Sequence, residues 1–209
     1  AGKRLFKAMR DLPKVCEHIH LPLQSGSNKI LDLMNRKYTV EEYKEKIAML
    51  RGFIPDVGIS TDIIVGFPSE KDSDYEATRQ AMEEIRFNTA FIFKYSPRPP
   101  AVSACLLDDV SEEIKKVRNT ELLEIHKALA LEINKTMIGT TQEVLVEGKS
   151  RMSDDELVGR TRNNTSCVFP SRQDLVGKVV RVKIKDTSPF TLKGSLAGEE
   201  SEEISPNSE

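Results

Sequence analysis

The sequence has no tryptophan and only three cysteines. The small number of cysteines leaves little scope for chemistry based on closely spaced thiols. Cys16, Cys105 and Cys167 lie far apart and form neither a CxxC nor a CxxxCxxC motif. Isolated thiols are typical of a reducing compartment and predict neither a disulfide framework nor a metal site. No apolar run reaches the roughly 20 residues of a membrane-spanning helix, and no secretion signal is visible. We therefore expect a cytoplasmic protein without a membrane partner, whose sequence starts inside a longer one.

Charge is nearly balanced overall, with a net value of −2, but it is unevenly distributed. Residues 137–196 carry 10 basic and 7 acidic side chains, whereas residues 197–209 carry 5 acidic side chains and no basic one. A compact basic segment favours a polyanionic partner. The polar, acidic end predicts a disordered tail over residues 199–209.

The first half of the chain alternates between strand and helix patterns, which predicts a parallel α/β fold. The predicted strands are Val15–Leu21, Val57–Val65 and Ala90–Tyr95. The β-branched run of the second of these is typical of a strand covered on both faces. The predicted helices are 1–12, a short helix capped by Ser27 or Asn28, a helix opened by a Thr39–Glu42 capping box, 69–86 and 111–137.

The last of these helices has six apolar residues at helical spacing, and we expect them to form its buried side. They are Ile114, Val117, Leu122, Ile125, Leu129 and Ile133. After Gly139 the pattern changes to short strands at close intervals, which predicts a small all-β barrel. The predicted strands are 141–146, 158–162, 166–169, 178–184 and 188–194.

The segment TDIIVGFPSE, residues 61–70, places a Gly-Phe-Pro turn and an acidic residue after a predicted strand. The carboxyl ends of parallel strands are where such folds bind ligands. Gly66 has no Cβ and allows a ligand close to the backbone, and Pro68 fixes the turn. The alternative is an ordinary loop in which Glu70 stabilises a helix start.

The segment HLPLQSGS, residues 20–27, also follows a predicted strand. Gln24, Ser25 and Ser27 supply polar groups beside a helix start, a setting suited to hydroxyl, carboxylate or phosphate groups. Arg36 at the end of that helix is able to grip a carboxylate by two hydrogen bonds. A capped helix with a solvated arginine explains the same residues. For His18 and His20 we favour a structural or hydrogen-bonding role.

Arg98 lies between two prolines in YSPRPP, residues 95–100, a stiff loop that holds the side chain for contact with an anion or a base. A surface arginine in a proline-rich loop is the alternative.

Two rows of basic residues mark the predicted barrel. Arg181, Lys183 and Lys185 alternate on one strand, so they project from one face, and Arg160 and Arg162 do so on another. Asn163 beside them is able to donate and accept hydrogen bonds with bases or riboses. A solvated strand face is the alternative for any single lysine, but two such rows favour RNA contact.

In order and spacing, HLPLQSGS, MNRKYT, TDIIVGFPSE and YSPRP resemble the radical-SAM methylthiotransferase family. GTTQEVLVEGKS and GRTRNN resemble that family's terminal TRAM domain, an OB-like barrel that contacts RNA. The resemblance covers nearly all of residues 5–196. It is strongest with the branch that adds a methylthio group to carbon 2 of N6-isopentenyladenosine next to the tRNA anticodon.

The resemblance implies the second half of a radical-SAM (β/α) partial barrel over residues 1–135 and a TRAM domain over residues 136–198. It also implies binding of S-adenosylmethionine, here SAM, and of RNA. Residues implied for part of the SAM site are Gln24, Ser25, Arg36, Asp62, Gly66, Pro68 and Glu70. Residues implied for RNA contact are Arg98, Arg160, Arg162, Asn163, Arg181 and Lys183. We expect no catalytic residue and no metal ligand in this chain.

The family mechanism needs two [4Fe-4S] clusters, and the cysteines that would hold them are absent from this sequence. The implied partners are the tRNA anticodon stem-loop and, for the full-length enzyme, an electron donor such as flavodoxin; we expect a monomer. Pro100 and Ala101 depart from the family's usual YSPRPG-T, which puts the role of Arg98 in question. Two alternatives remain: a stand-alone RNA-binding TRAM protein and a methylthiotransferase that acts on a ribosomal protein.

Overall fold

The computed structural model describes residues 2–97 and 105–198 of a chain that divides into two compact units, Ala1–Ile133 and Asn134–Glu209. The described helices are α1 Lys3–Asp11, α2 Asn28–Leu33, α3 Val40–Phe53, α4 Asp72–Ile85 and α5 Glu112–Lys135. The described strands are β1 His18–His20, β2 Gly58–Val65, β3 Thr89–Lys94, β4 Thr141–Lys149, β5 Glu156–Thr161, β6 Ser166–Pro170, β7 Val179–Thr187 and β8 Thr191–Leu196. Within these ranges, no helix is both long and apolar enough to cross a membrane.

The first unit is built on a parallel sheet in the order β1-β2-β3, so the predicted parallel α/β fold is confirmed. Alternate residues of β2, such as Ile59 and Ile63, are fully buried and pack with apolar residues of α3 and α4, including Leu50 and Met82. The expectation that β2 is covered on both faces is wrong for its second half, because Asp62 and Ile64 remain partly exposed.

Helix starts follow local capping chemistry. The Thr39 hydroxyl accepts from the N–H of Glu42, whose carboxylate accepts from the N–H of Thr39, so the predicted capping box is present. Ser27, rather than Asn28, caps α2. The helix predicted from Ser69 begins only at Asp72, because Ser69 adopts a left-handed φ of 68° and a tight turn precedes the helix.

The second unit is a closed barrel with strand order β4-β5-β6-β8-β7, which confirms the predicted small β-barrel. Strands β6 and β8 pair in parallel, and the other neighbours pair antiparallel. Inward side chains such as Val144, Phe169, Val182 and Leu192 fill the interior and are fully buried. Side chains at the alternate positions project outwards.

Candidate cofactor and RNA sites

The loop after β2 is held by internal contacts. Gly66 has a φ of 71°, a left-handed conformation that favours glycine. Its N–H donates to Oε1 of Glu70 at 2.8 Å, and a Cβ at this position would lie 2.2 Å from Cγ of Lys115. Backbone conformation and the packing of α5 therefore both require this glycine. Pro68 is buried in the same loop. The prediction that Gly66 allows a ligand to approach the backbone is not tested by these contacts.

Glu70 lies inside the protein. Its Oε1 also accepts from Nη1 of Arg118 at 2.7 Å, and both side chains are almost fully buried. Burial raises the pKa of the Glu70 carboxyl, while the hydrogen bond from Gly66 and the Arg118 charge act in the opposite direction. The first residue of α4 is Asp72, and the hydrogen bonds of the Glu70 carboxylate go to Gly66 and Arg118 rather than to the helix start. Glu70 instead ties the loop after β2 to α5.

The buried side of α5 differs from the predicted apolar side. Ile114 and Val117 are 44% and 64% exposed. Leu122 is fully buried and Ile125 packs against the core, as predicted. The other buried residues lie three or four positions apart on the same side as Leu122: Lys115, Arg118, His126 and Ala130. Lys115 Nζ lies 2.6 Å from Oδ2 of Asp108. The burial of Lys115 and Arg118 was not predicted, because charged residues are rarely fully buried unless they are paired. Their helical spacing from Leu122 is the feature of the sequence that indicates the buried side.

The QSGS segment is joined to α4 by hydrogen bonds. Ser25 is fully buried with its Oγ 3.3 Å from Oγ1 of Thr78, which also accepts from the N–H of Gly26 at 2.9 Å. The hydroxyl of Ser27 donates to Oδ1 of Asp74 at 2.7 Å. The polar groups predicted to meet a ligand at Ser25 and Ser27 are thus engaged within the protein.

Gln24 differs from its neighbours. It has a φ of 68° and is 5% exposed, and its backbone continues the sheet through hydrogen bonds with Asp62 and Ile64. Its side-chain amide forms no hydrogen bond with any residue in 2–97 or 105–198. A nearly buried amide with spare hydrogen-bonding capacity, at the carboxyl end of a parallel strand, is suited to contact a ligand.

Arg36 lies on the surface and forms one wall of an open cavity of about 300 Å³ that also includes Asn28, Asp32 and Thr39. No carboxylate in the described part of the chain lies within ion-pair distance of its guanidinium. The arginine is therefore exposed to solvent in this structure, which agrees with the alternative of a capped helix with a solvated arginine. A carboxylate partner, if it has one, comes from outside the described residues.

Asp62 projects from the sheet face opposite the helices. Its Oδ2 lies 3.3 Å from Nε2 of His20. His18 and His20 both contact the hydroxyl of Ser60, at 3.1 and 2.9 Å, which confirms the predicted hydrogen-bonding role of the two histidines. The structure places Asp62 in a polar network and away from Glu70, whose carboxylate turns towards α5.

All three cysteines are free thiols. Cys16 and Cys105 are exposed, and Cys167 is buried in the barrel, where burial raises the pKa of its thiol to about 12. Among the residues that the structure describes, no group of three or more His, Cys, Asp or Glu side chains is arranged to hold a metal ion. The residues present therefore do not fit an iron–sulfur cluster, which is held by three or four cysteines.

The outer surface of the barrel carries a row of exposed cations on β7. Arg181, Lys183 and Lys185 are exposed. Arg181 and Lys183 alternate with buried Val182 and Ile184 and share a face, as predicted, whereas Lys185 lies at a β-bulge between Ile184 and Asp186. Lys193 on the neighbouring strand β8 is also exposed. None of these four cations forms an ion pair with a described residue, and we call them the β7 basic row.

The second predicted row, Arg160 and Arg162, has acidic neighbours. Arg160 Nε lies 3.5 Å from Glu147, and Arg162, which follows the end of β5, lies 3.8 Å from Glu143. Oδ1 of Asn163 accepts from Thr161 and Thr165 and so helps to hold the turn. Carboxylates thus offset part of the positive charge here. The four cations of the β7 basic row form no ion pair with a described residue, although Glu143 and Asp186 are paired in register with Arg181 and Lys193. Arg98 lies outside the described residues.

Two protein families match separate parts of the chain. The Radical SAM superfamily matches residues 2–82, and the TRAM domain matches residues 135–197. Among solved structures, Escherichia coli coproporphyrinogen III oxidase, a radical SAM enzyme, is 13% identical and superposes with a TM-score of 0.47 over 70% of this chain and 41% of its own.

Curated relatives match across both parts. Proteins named tRNA-2-methylthio-N(6)-dimethylallyladenosine synthase from Acetivibrio thermocellus and Aquifex aeolicus are 46% and 44% identical over 92% of this chain, which covers 40% and 43% of their lengths. The namesake from Thermodesulfovibrio yellowstonii is 49% identical over 93% of this chain and 44% of its own length. The chain therefore spans about two-fifths of the length of these relatives.

Proposed function

We propose that this chain, which joins a Radical SAM superfamily segment to a TRAM domain and is homologous to curated tRNA-2-methylthio-N(6)-dimethylallyladenosine synthases, is the C-terminal part of a tRNA methylthiotransferase. The continuous similarity across both units carries this proposal. The substrate we propose is N6-dimethylallyladenosine in tRNA, modified at carbon 2 of the base.

The first unit, on this proposal, supplies part of the SAM pocket. SAM bound to a reduced cluster supplies an adenosyl radical in this enzyme superfamily. Gln24 is our candidate for direct contact, because its amide has hydrogen-bonding capacity to spare. Gly66, Pro68, Glu70 and Ser25 act by holding the two loops in place, and Arg36 is open to an anionic group of the cofactor.

The barrel docks the tRNA through its phosphates. The β7 basic row offers exposed cations without internal partners, and phosphate contacts of this kind supply much of the affinity of RNA-binding proteins. Arg160, Arg162 and Asn163 lie on the same barrel and are proposed as additional contacts. Arg98, flanked by prolines, stays a candidate on its sequence alone.

The two alternative functions, a stand-alone RNA-binding protein and a methylthiotransferase that acts on a ribosomal protein, are less well supported. A stand-alone RNA-binding barrel does not account for similarity that extends through the whole first unit. A target in a ribosomal protein does not agree with relatives that are named for a tRNA nucleoside. The electron donor, the monomeric state and the cytoplasmic location stay predictions.

Binding of tRNA by the 209-residue chain tests the docking role. Replacing Arg181, Lys183 and Lys185 together by Gln is expected to weaken binding at least about tenfold at low salt and to reduce the slope of log affinity against log salt by about 2, because up to three phosphate contacts are lost. Affinity measured by filter binding from about 50 to 200 mM salt provides both values.

The matched control is replacement of Lys7, Lys116 and Lys127, three exposed lysines of the first unit, by Gln. This control removes the same charge and is expected to change affinity less than threefold. Equal losses in the two triple variants would mean that tRNA responds only to net charge, and the barrel would not be the docking module.

A further inference from the structure

The sheet of the first unit has one face that the helices do not cover. Ile59 and Ile63 point into the core beneath α3 and α4, so the alternate residues of each strand project from the opposite face. The side chains on that face include His20, Ser60, Asp62, Phe91 and Phe93. We call these five residues the open face.

The polar members of the open face form one hydrogen-bond chain. An ionised Asp62 only accepts, so Nε2 of His20 carries a proton and donates to it. Nδ1 of His20 lies 2.9 Å from the hydroxyl of Ser60, and that hydroxyl lies 3.1 Å from Nε2 of His18. This chain fixes the orientation of His20 and leaves Oδ1 of Asp62 as an acceptor with no donor among the described residues.

The aromatic members lie directly beside this acceptor. Phe91 is paired in register with Asp62, and Phe93 is paired with Ile64, so both rings project from the open face. Phe91 and Phe93 are 49% and 51% exposed, and the Phe91 ring lies 6.2 Å from the ring of His20. Two half-exposed phenylalanines two residues apart on one strand therefore present neighbouring apolar rings to a ligand on this face.

We infer that the open face holds the N6-dimethylallyl adenine of the substrate, with the prenyl group on Phe91 and Phe93 and the N6–H donating to Asp62. This inference rests on the function proposed above and names the residues that recognise the base. The match is chemical: the modified base has one N6–H donor beside a branched five-carbon apolar chain. The face has one spare carboxylate oxygen beside two apolar rings.

The geometry also explains a preference for the prenylated base. Unmodified adenine satisfies the Asp62 acceptor equally well through its amino group, but it leaves both phenylalanine rings in water. The prenyl group removes apolar surface from water on both sides of the contact, which is favourable in proportion to the area buried. Discrimination therefore comes from Phe91 and Phe93, and Asp62 orients the base.

The test compares N6-dimethylallyladenosine with adenosine as free nucleosides, each titrated into the 209-residue chain and followed by saturation-transfer NMR. The prenylated nucleoside is expected to bind at least about tenfold more tightly, since single methylenes in apolar pockets are already worth about tenfold or more. Replacing Phe91 and Phe93 together by Ala is expected to reduce that ratio to about threefold or less. Equal binding of the two nucleosides, or no binding of either, would overturn the inference.

The control variant is Phe190→Ala, which removes a ring of similar exposure from the barrel unit. It is expected to leave the preference unchanged. Nuclear Overhauser contacts between the prenyl methyl protons and phenylalanine ring protons, measured on the unsubstituted chain, provide a readout that does not depend on the folding of any variant. Binding without such contacts would place the nucleoside elsewhere.

The outcome separates this inference from the proposed function. If the chain binds tRNA through the β7 basic row but does not prefer the prenylated nucleoside, only the assignment of the open face fails. If the nucleoside preference is found but the β7 triple variant binds tRNA normally, the docking proposal fails and the open face stands.

Discussion

At the scale of single residues, the loops at the carboxyl ends of the strands depend on close backbone packing. A Cβ on Gly26 would lie 2.4 Å from the carbonyl oxygen of Ala77 and 2.5 Å from Cα of Thr78, both in the backbone of α4. Backbone atoms in the middle of a helix cannot move aside as a flexible side chain does. The position of the QSGS segment, and of Gln24 beside it, therefore depends on this glycine.

Gly26→Ala is expected to lower the free energy of unfolding by about 1–3 kcal/mol, the usual cost of adding atoms to a packed site. Gly52→Ala is the matched control, because Gly52 lies in α3 with no atom within 4 Å of a Cβ, and alanine favours the helix by up to about 1 kcal/mol. Urea unfolding of both variants measures the difference. Equal stabilities would show that α4 does not press on the loop.

At the scale of secondary-structure elements, α5 is fastened to the sheet by polar groups along its buried side. Lys115 and Arg118 reach the loops after β2 and β3, and further along the helix Nε2 of His126 accepts from the N–H of Ala90 in β3 at 3.0 Å. Burial lowers the pKa of His126 to about 4, from an ordinary value of 6.5. An acceptor at Nε2 must be unprotonated, so this contact exists only with a neutral imidazole.

The position of α5 is therefore expected to depend on pH. Because the pKa of His126 is lower in the folded state, the unfolded chain binds the proton more readily. The stabilisation is complete above pH 6.5 and is lost as the pH falls towards 4, by up to about 3 kcal/mol. His126→Gln keeps an acceptor for Ala90 but does not titrate. Unfolding free energies of the two proteins between pH 7 and 4 should diverge, and parallel curves would contradict the role of His126.

At the scale of the whole molecule, this chain covers about two-fifths of its relatives and carries none of the closely spaced cysteines that the radical chemistry needs. Cys16 and Cys105 are exposed and far apart in sequence, and Cys167 belongs to the barrel core. We therefore expect the 209-residue chain to contribute binding surfaces and to depend on other cysteines for the reaction.

Anaerobic reconstitution of the 209-residue chain with iron and sulfide is expected to yield well under one four-iron cluster per chain and no cleavage of SAM. Iron and sulfide analysis with electron paramagnetic resonance measures the first, and release of 5′-deoxyadenosine measures the second. Weak SAM binding without cleavage agrees with the proposal, because the cluster anchors the methionine end of the cofactor. A stoichiometric cluster on this chain would contradict it.

Much of the architecture was predictable from local patterns. The alternation of strand and helix, the Thr39–Glu42 capping box and the change to short strands after Gly139 each depend on neighbouring residues, so they are visible in sequence. The alternation of Arg181 and Lys183 with buried residues is equally local, since successive side chains of a strand point to opposite faces. Four ordered motifs also predicted a resemblance to methylthiotransferases, and curated relatives of that kind are similar to this chain.

What side chains do inside those elements was decided by the tertiary structure. Sequence periodicity placed Ile114 and Val117 on the buried side of α5, but the fold buries Lys115 and Arg118 because Asp108 and Glu70 lie where they can pair with them. Residues distant in sequence also lie close to Ser25 and Ser27, so these side chains form hydrogen bonds with Thr78 and Asp74. The N–H of Gly66 likewise donates to Glu70. The sequence by itself determined which elements form and which cations the barrel exposes. Pairing between residues distant in sequence decided which polar groups remain available to a ligand, because that pairing depends on the tertiary structure.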